Sequence, residues 1–396
     1  MPVTRKQRYA KYAAVPLTVL LIGGLYFGAC AIAEKRFSSA LESASVMETE
    51  HRDGLWNYNV LSAREQSLYR LLADAMESSE TKTQRTAFVP TQQEFSAAFD
   101  AVLCDYPLYC DLIREECMLV AGENSAFMRL SYLSDGDFRR QQLSDFAESI
   151  AAQAQAMTDT EFALLLHDTV VQRCSYSKDA PVLSTAYDAI DLCETDSLGY
   201  ALLYTLVCRE AGIDCAVVRG TVQTGEQEGS HAWNVLTLDG VTGYTDVMWD
   251  DTADKDAPLL PFHGYYFLSA DEIGTDHIPM DGLDFPSEDE TENYYEQRGI
   301  CVNDAETLGI LLPTLLTDAR TRCADAVEFM LDPAFEITDY ALEEALTAAI
   351  EAANADESIS SPLLRAVHRM YRCTVSGGGI TVQLFYEENN NELGES

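Results

Sequence analysis

A helix that runs directly into a succession of short strands constrains this chain more than any other feature. Asp196 and Ser197 are helix-capping residue types; Leu198, Ala201, Leu202, Thr205 and Leu206 follow at helical spacing, and Gly212 supplies a helix stop. Residues 215–218 are then apolar and β-branched, residues 231–238 and 244–249 read as strands, and Asp239-Gly240 between the last two is a hairpin turn. A two-residue turn joins only antiparallel neighbours, so the order predicts one helix followed by an antiparallel sheet, an α+β core.

That order also predicts where chemistry collects. Ser197 starts the helix, His231 opens a strand and Asp246 lies on the next, and adjacent antiparallel strands bring side chains on one face together. A helix N-terminus presents a positive dipole and free N–H groups, which lower a thiol's pKa and can hold an oxyanion. Ser197, His231 and Asp246 are therefore the candidate catalytic positions, with Ser197 taken by itself read as a helix cap ahead of a nucleophile.

The successive motifs Thr185-Ala186-Tyr187, Ser197-Leu198-Gly199-Tyr200-Ala201, His231-Ala232-Trp233-Asn234 and Asp246-Val247-Met248-Trp249-Asp250 resemble those of bacterial transglutaminase-like proteins. Tyr266-Phe267-Leu268, Asp276-His277 and Asn293-Tyr294-Tyr295 are similar to landmarks that follow the domain in exported relatives, so the resemblance covers roughly residues 158–300. It implies the papain-like fold, acyl transfer from a glutamine amide or amide hydrolysis in active members, and no metal or other cofactor. In the family pattern C-x-G-Y-A the cysteine's place, ten residues after the tyrosine, falls on Ser197. Thr242-Gly243 stands where relatives carry Trp-Tyr, a change of pocket shape.

Serine at the nucleophile's position bears on mechanism. The family stores its nucleophile as a thiolate beside an imidazolium, and a serine hydroxyl is too weak an acid to ionise in that way. The expectation is a pseudoenzyme whose cleft binds a peptide or cell-envelope protein; a Ser197-His231-Asp246 amide or ester hydrolase or acyltransferase is the alternative. Cys193 precedes the helix start and would need an unusual loop to replace Ser197. Tyr187, Tyr200, Trp233 and Trp249 are read as core or cleft-wall aromatics and candidate binding positions, and His167 and His277 as structural. Asp250, Asp251, Asp254 and Asp256 lack the glycine and closing glutamate of a calcium loop and read as a solvated acidic run.

The flanks complete the organisation. Residues 1–12 are basic and residues 13–33 are uncharged, long enough to cross about 30 Å of hydrocarbon as one transmembrane helix. The positive-inside rule then puts residues 1–12 in the cytoplasm and the rest outside. A cleaved signal peptide is the rival, but the run exceeds a usual signal core and no A-x-A site closes it; Phe27 makes a poor lipoprotein signal for Cys30. Residues 34–157 read as a helical region, 158–300 as the transglutaminase-like domain, 301–386 as a small α+β domain and 387–396 as a tail. A net charge of −39 excludes nucleic acid as a partner. The cysteines outside the span have no metal-binding spacing and are expected as local disulfides or buried thiols.

Overall fold

A computed structural model describes residues 49–52, 54–177, 184–224, 227–251, 262–280, 291–355, 363–364, 371–372 and 378–386. The chain divides into two compact units, one of Leu61–Asp100 and Glu115–Ser131 with the segment before Arg52, the other of Arg52–Val60, Ala101–Arg114 and everything from Tyr132. In the first, the helix Ala63–Glu77 starts at a capping box between Ser62 and Glu65 and buries Leu68, Tyr69, Leu72 and Met76, an i, i+4 stripe. A hairpin pairs Met118–Ala121 with Ala126–Arg129. The region is thus not helical throughout, as its composition suggests, because four-residue strands are too short to show a period.

The second unit holds the core that positions the site. Its helices α1 (Gly136–Ala151), α2 (Asp159–Arg173) and α3 (Ser197–Glu210) pack with an antiparallel sheet of β1 (Cys215–Thr224), β2 (Gln227–Leu238), β3 (Val241–Thr245) and β4 (His277–Pro279), in the order β3-β2-β1-β4. The capping box Thr158-x-x-Glu161 starts α2, with Glu161 returning a 2.9 Å hydrogen bond to the Thr158 N–H. Every residue of α3 from Gly199 to Cys208 is buried, as expected of a helix apolar on all sides. Asp239 and Gly240 both have positive φ (52° and 89°), the backbone a two-residue hairpin turn requires.

Helix and sheet are joined by more than apolar contact. The Asn234 amide, fully buried on β2, donates to the Ala201 carbonyl at 3.0 Å and to Thr205 Oγ1 at 2.8 Å on α3. Gly199 allows the close approach at the helix start: a Cβ there would sit 1.9 Å from Thr195 Oγ1. Gly243, where relatives carry an aromatic, is filled by the Phe267 ring, 2.7 Å from where a Cβ would lie.

The C-terminal part builds a second sheet in which β5 (Ala326–Leu331) pairs antiparallel with β6 (Gly379–Gln383) and parallel with Cys301–Val302. Two helices, α4 (Ala305–Arg322) and α5 (Asp339–Asn354), cover it through Leu308, Leu312, Leu316, Leu342 and Leu346. Helix α4 continues through Pro313, and its leucines keep helical spacing across it. The strand expected over 244–249 ends at Thr245, since Asp246 turns the chain by accepting from the Met248 and Trp249 N–H groups.

Among the described residues Cys110, Cys174, Cys208 and Cys215 are buried free thiols, the second of the two forms expected. Burial pushes Cys110 and Cys174 up to about 12, which makes them inert core residues. The span 13–33, the segment 1–12, Cys30 and the tail 387–396 lie outside the described residues, among which no helix is long and apolar enough to cross a membrane. Replacing Gly199 by alanine should cost about 1–3 kcal/mol, measured as a lower denaturant midpoint with unchanged slope. An unchanged midpoint would show that the contact with Thr195 gives way freely.

Candidate functional site

The start of α3 is organised by Asp196. Its carboxylate accepts from the Leu198 and Gly199 N–H groups at 3.0 and 3.2 Å, so Asp196 is the cap and Ser197 the first helical residue. The capping role that Ser197 could have filled is therefore taken by its neighbour. Ser197 is half-buried, and among the described residues no hydrogen bond joins it to His231.

On the sheet, β2 carries His231 opposite Gly220 of β1, and Asp246 sits just past the end of β3. His231 Nε2 and Asp246 Oδ2 are 2.5 Å apart, and both groups are buried. The same Oδ2 meets Nε2 of His277 on β4 at 3.0 Å, while His277 Nδ1 is held by Asp276 at 2.6 Å. Asp246 Oδ1 is occupied by its own turn, so every lone-pair direction of this buried carboxylate has a partner. His231 keeps Nδ1 as the nitrogen with no hydrogen bond among the described residues.

The electrostatics follow from these contacts. Burial alone would raise the Asp246 carboxyl, but the charge of His231 and the hydrogen bonds of both histidines hold it well below the ordinary carboxylate range. For His277 burial opposes protonation, and the bonds to Asp246 and Asp276 outweigh it, so its pKa is raised. Aromatic rings wall the group: Trp249 lies 5.6 Å from His231 and 4.6 Å from His277 between ring centres, and Trp233 stacks on His231 at 6.3 Å.

The predicted binding aromatics thus separate. Trp233 and Trp249 border His231, whereas Tyr187 and Tyr200 belong to the helical core. Arg139 covers the Tyr187 ring at 4.7 Å, and the Tyr200 hydroxyl donates to Asp251 at 2.5 Å. Cys193 sits beside Cys174, with its carbonyl tied to Ser175 N. Asp250 of the acidic run is not solvated but wholly buried, accepting from Tyr265 N at 2.8 Å, and Asp251 meets Tyr200 and Tyr176; Asp254 and Asp256 lie outside the described residues.

His277 and His167, read from the sequence as structural, each join a shared carboxylate. Beside His231-Asp246-His277 there is a second set, His167-Asp168-His263, and within each set the nitrogen and oxygen donors lie within 4.8 Å of one another, close enough to hold a metal ion. His263 carries no motif of its own, and only the fold brings it to α2.

A capped helix packed on an antiparallel sheet, with a histidine on the second strand paired to an aspartate just past the third, fits the transglutaminase-like superfamily, whose family model matches residues 144–247. The chain carries a transglutaminase-like domain, and the matched span contains Ser197, His231 and Asp246. Kyphoscoliosis peptidase of Mus musculus is 33% identical over 99 residues, 22% of this chain and 15% of that protein, so the chain spans about a seventh of its relative's length. The periplasmic domain of TgpA from Pseudomonas aeruginosa, bound to ethylmercury, aligns at 20% identity and a TM-score of 0.25, covering 34% of this chain and 59% of that one. The family model carries the assignment.

The Asp246 network has a defined pH window. A carboxyl held below its ordinary value contributes stability that is complete above about pH 4 and lost in acid; a histidine held above its own contributes below about pH 6.5 and loses it as pH rises. The stability lost by Asp246→Asn, about 3–5 kcal/mol for a broken buried pair, should peak between those limits and shrink on both sides, read from denaturant midpoints across pH. A difference independent of pH would exclude the ionised network.

Proposed function

We propose that this is an exported, membrane-anchored transglutaminase-like domain that does not perform acyl transfer and uses its cleft to hold a peptide or a cell-envelope protein. The observation that carries the reading is the chemistry at the head of α3. Ser197 occupies the place where the family pattern has its nucleophilic cysteine, and it shares no hydrogen bond with His231. A hydroxyl does not ionise beside an imidazole as a thiol does, so the stored ion pair of the family reaction has no counterpart here. The aromatic walls, Trp233 and Trp249, are the surfaces a bound chain would meet.

Export is supported by the basic segment before the uncharged run 13–33, and the acidic composition argues against nucleic acid. One feature favours a second reading. His231 retains its buried aspartate and a free Nδ1, the arrangement of a general base, and a Ser197-His231-Asp246 hydrolase or acyltransferase would use it by taking the serine proton during attack.

Amine incorporation and amide hydrolysis by the full-length chain, Ser197→Cys and Ser197→Ala separate the two. The binding reading expects wild type and Ser197→Ala to stand together at background while Ser197→Cys gains turnover by about 100-fold or more, a general base's usual contribution acting on a competent nucleophile. Turnover by wild type that Ser197→Ala abolishes would establish a serine enzyme instead.

A further inference from the structure

We propose that His167 Nδ1, His263 Nε2 and the Asp168 carboxylate bind one divalent transition-metal ion of the zinc class. The donors come from two places far apart in sequence, α2 and the loop that leads to Tyr265, and they already converge: His167 Nδ1 and His263 Nε2 lie 3.1 and 2.8 Å from Asp168 Oδ1. Two imidazoles and one carboxylate form a donor set that zinc accepts, with a fourth position left for water or a ligand.

The outer contacts of the two rings argue for a metal over a simple hydrogen-bonded cluster. His167 Nε2 is held by Asp250 Oδ2 at 3.0 Å, and His263 Nδ1 by Glu328 Oε2 at 2.6 Å on β5. Metal-binding histidines almost always have their second nitrogen fixed in this way, which sets the tautomer and raises the basicity of the first. Each ring therefore faces a carboxylate at both nitrogens, which a neutral imidazole, with a single N–H, does not satisfy. A metal at the two inner nitrogens leaves each neutral ring one N–H, aimed at Asp250 from the wholly buried His167 and at Glu328 from His263.

The site also has an entrance. Asp168, His263 and Glu328 line a cavity of about 820 Å³ together with Tyr294 and Arg298, and the Tyr294 ring stacks on His263 at 3.9 Å. The other shared carboxylate lacks these features: His231 Nδ1 has no carboxylate behind it, and Asp246 Oδ1 is spent on its own turn. That group is suited to moving a proton, and the His167-Asp168-His263 group to holding an ion that ties β5 to α2.

The test is zinc titration of the chelator-treated full-length chain, followed by melting temperature and bound-metal analysis, with the visible spectrum of the Co2+ form reporting the ligands. The expected result is one equivalent per chain with a raised melting temperature. Asp168→Asn and His263→Ala should abolish it, Glu328→Gln should weaken it about 10- to 100-fold, as for outer-sphere partners elsewhere, and Asp246→Asn should leave it intact. The circular dichroism of each variant, and the conservative Glu328→Gln, separate loss of the site from loss of the fold. A folded wild type that takes up no stoichiometric zinc, or binding that survives Asp168→Asn and His263→Ala, would overturn the proposal.

Discussion

The site depends on one buried carboxylate. Asp246 is placed by a hairpin whose turn, Asp239-Gly240, needs two positive φ angles, and it is then locked by two backbone N–H groups and two histidines. A buried charge with fewer partners would be too costly to keep ionised. With four, it stays charged and fixes the ring of His231 by Nε2, which leaves Nδ1 as the outward nitrogen. The strand β4 pairs with β1 at the sheet edge, and His277 joins it to the same carboxylate.

The same device is used twice. Asp168 is shared by His167 and His263 as Asp246 is by His231 and His277, and all four histidines are buried. What distinguishes the two is the surroundings. Around Asp246 lie the rings of Trp233 and Trp249 and the head of the sheet; around Asp168 lie two more carboxylates, Asp250 and Glu328, and a polar cavity. Equal geometry in a different field gives different chemistry. The transglutaminase-like assignment rests on the family model over residues 144–247, which contains His231 and Asp246, and the second group is an addition to that frame.

The parts of this architecture written in local sequence were legible there. The cap before Leu198 and the turn at Asp239-Gly240 each rest on contacts within a few residues, and both are found in the structure. His231 and Asp246 were also recoverable, because a hairpin brings near neighbours in sequence together. What escaped was long-range. His263 meets Asp168 across 95 residues and Glu328 across 65, and no spacing rule connects them. Asp250 looked like part of a solvated acidic run because its neighbours are acidic, whereas its carboxylate is turned inward to His167 and Tyr265. Tyr187 and Tyr200 lie beside the motif in sequence, and their rings are in the core, one of the two places expected of them. The short strands 118–121 and 126–129 carry too few residues for any period to emerge.

The central claim is that the head of α3 and the His231–Asp246 pair form an intact nucleophile site without its thiol, and alkylation of the thiol introduced by Ser197→Cys tests it most directly. The rate is followed against pH above the wild-type background, with and without His231→Ala. A competent site should ionise that thiol well below its ordinary pKa of about 8.5, giving rapid alkylation near pH 6 that His231→Ala abolishes. Alkylation that rises only around pH 8.5, indifferent to His231, would mean that helix and histidine are not aligned and that the site reading is wrong.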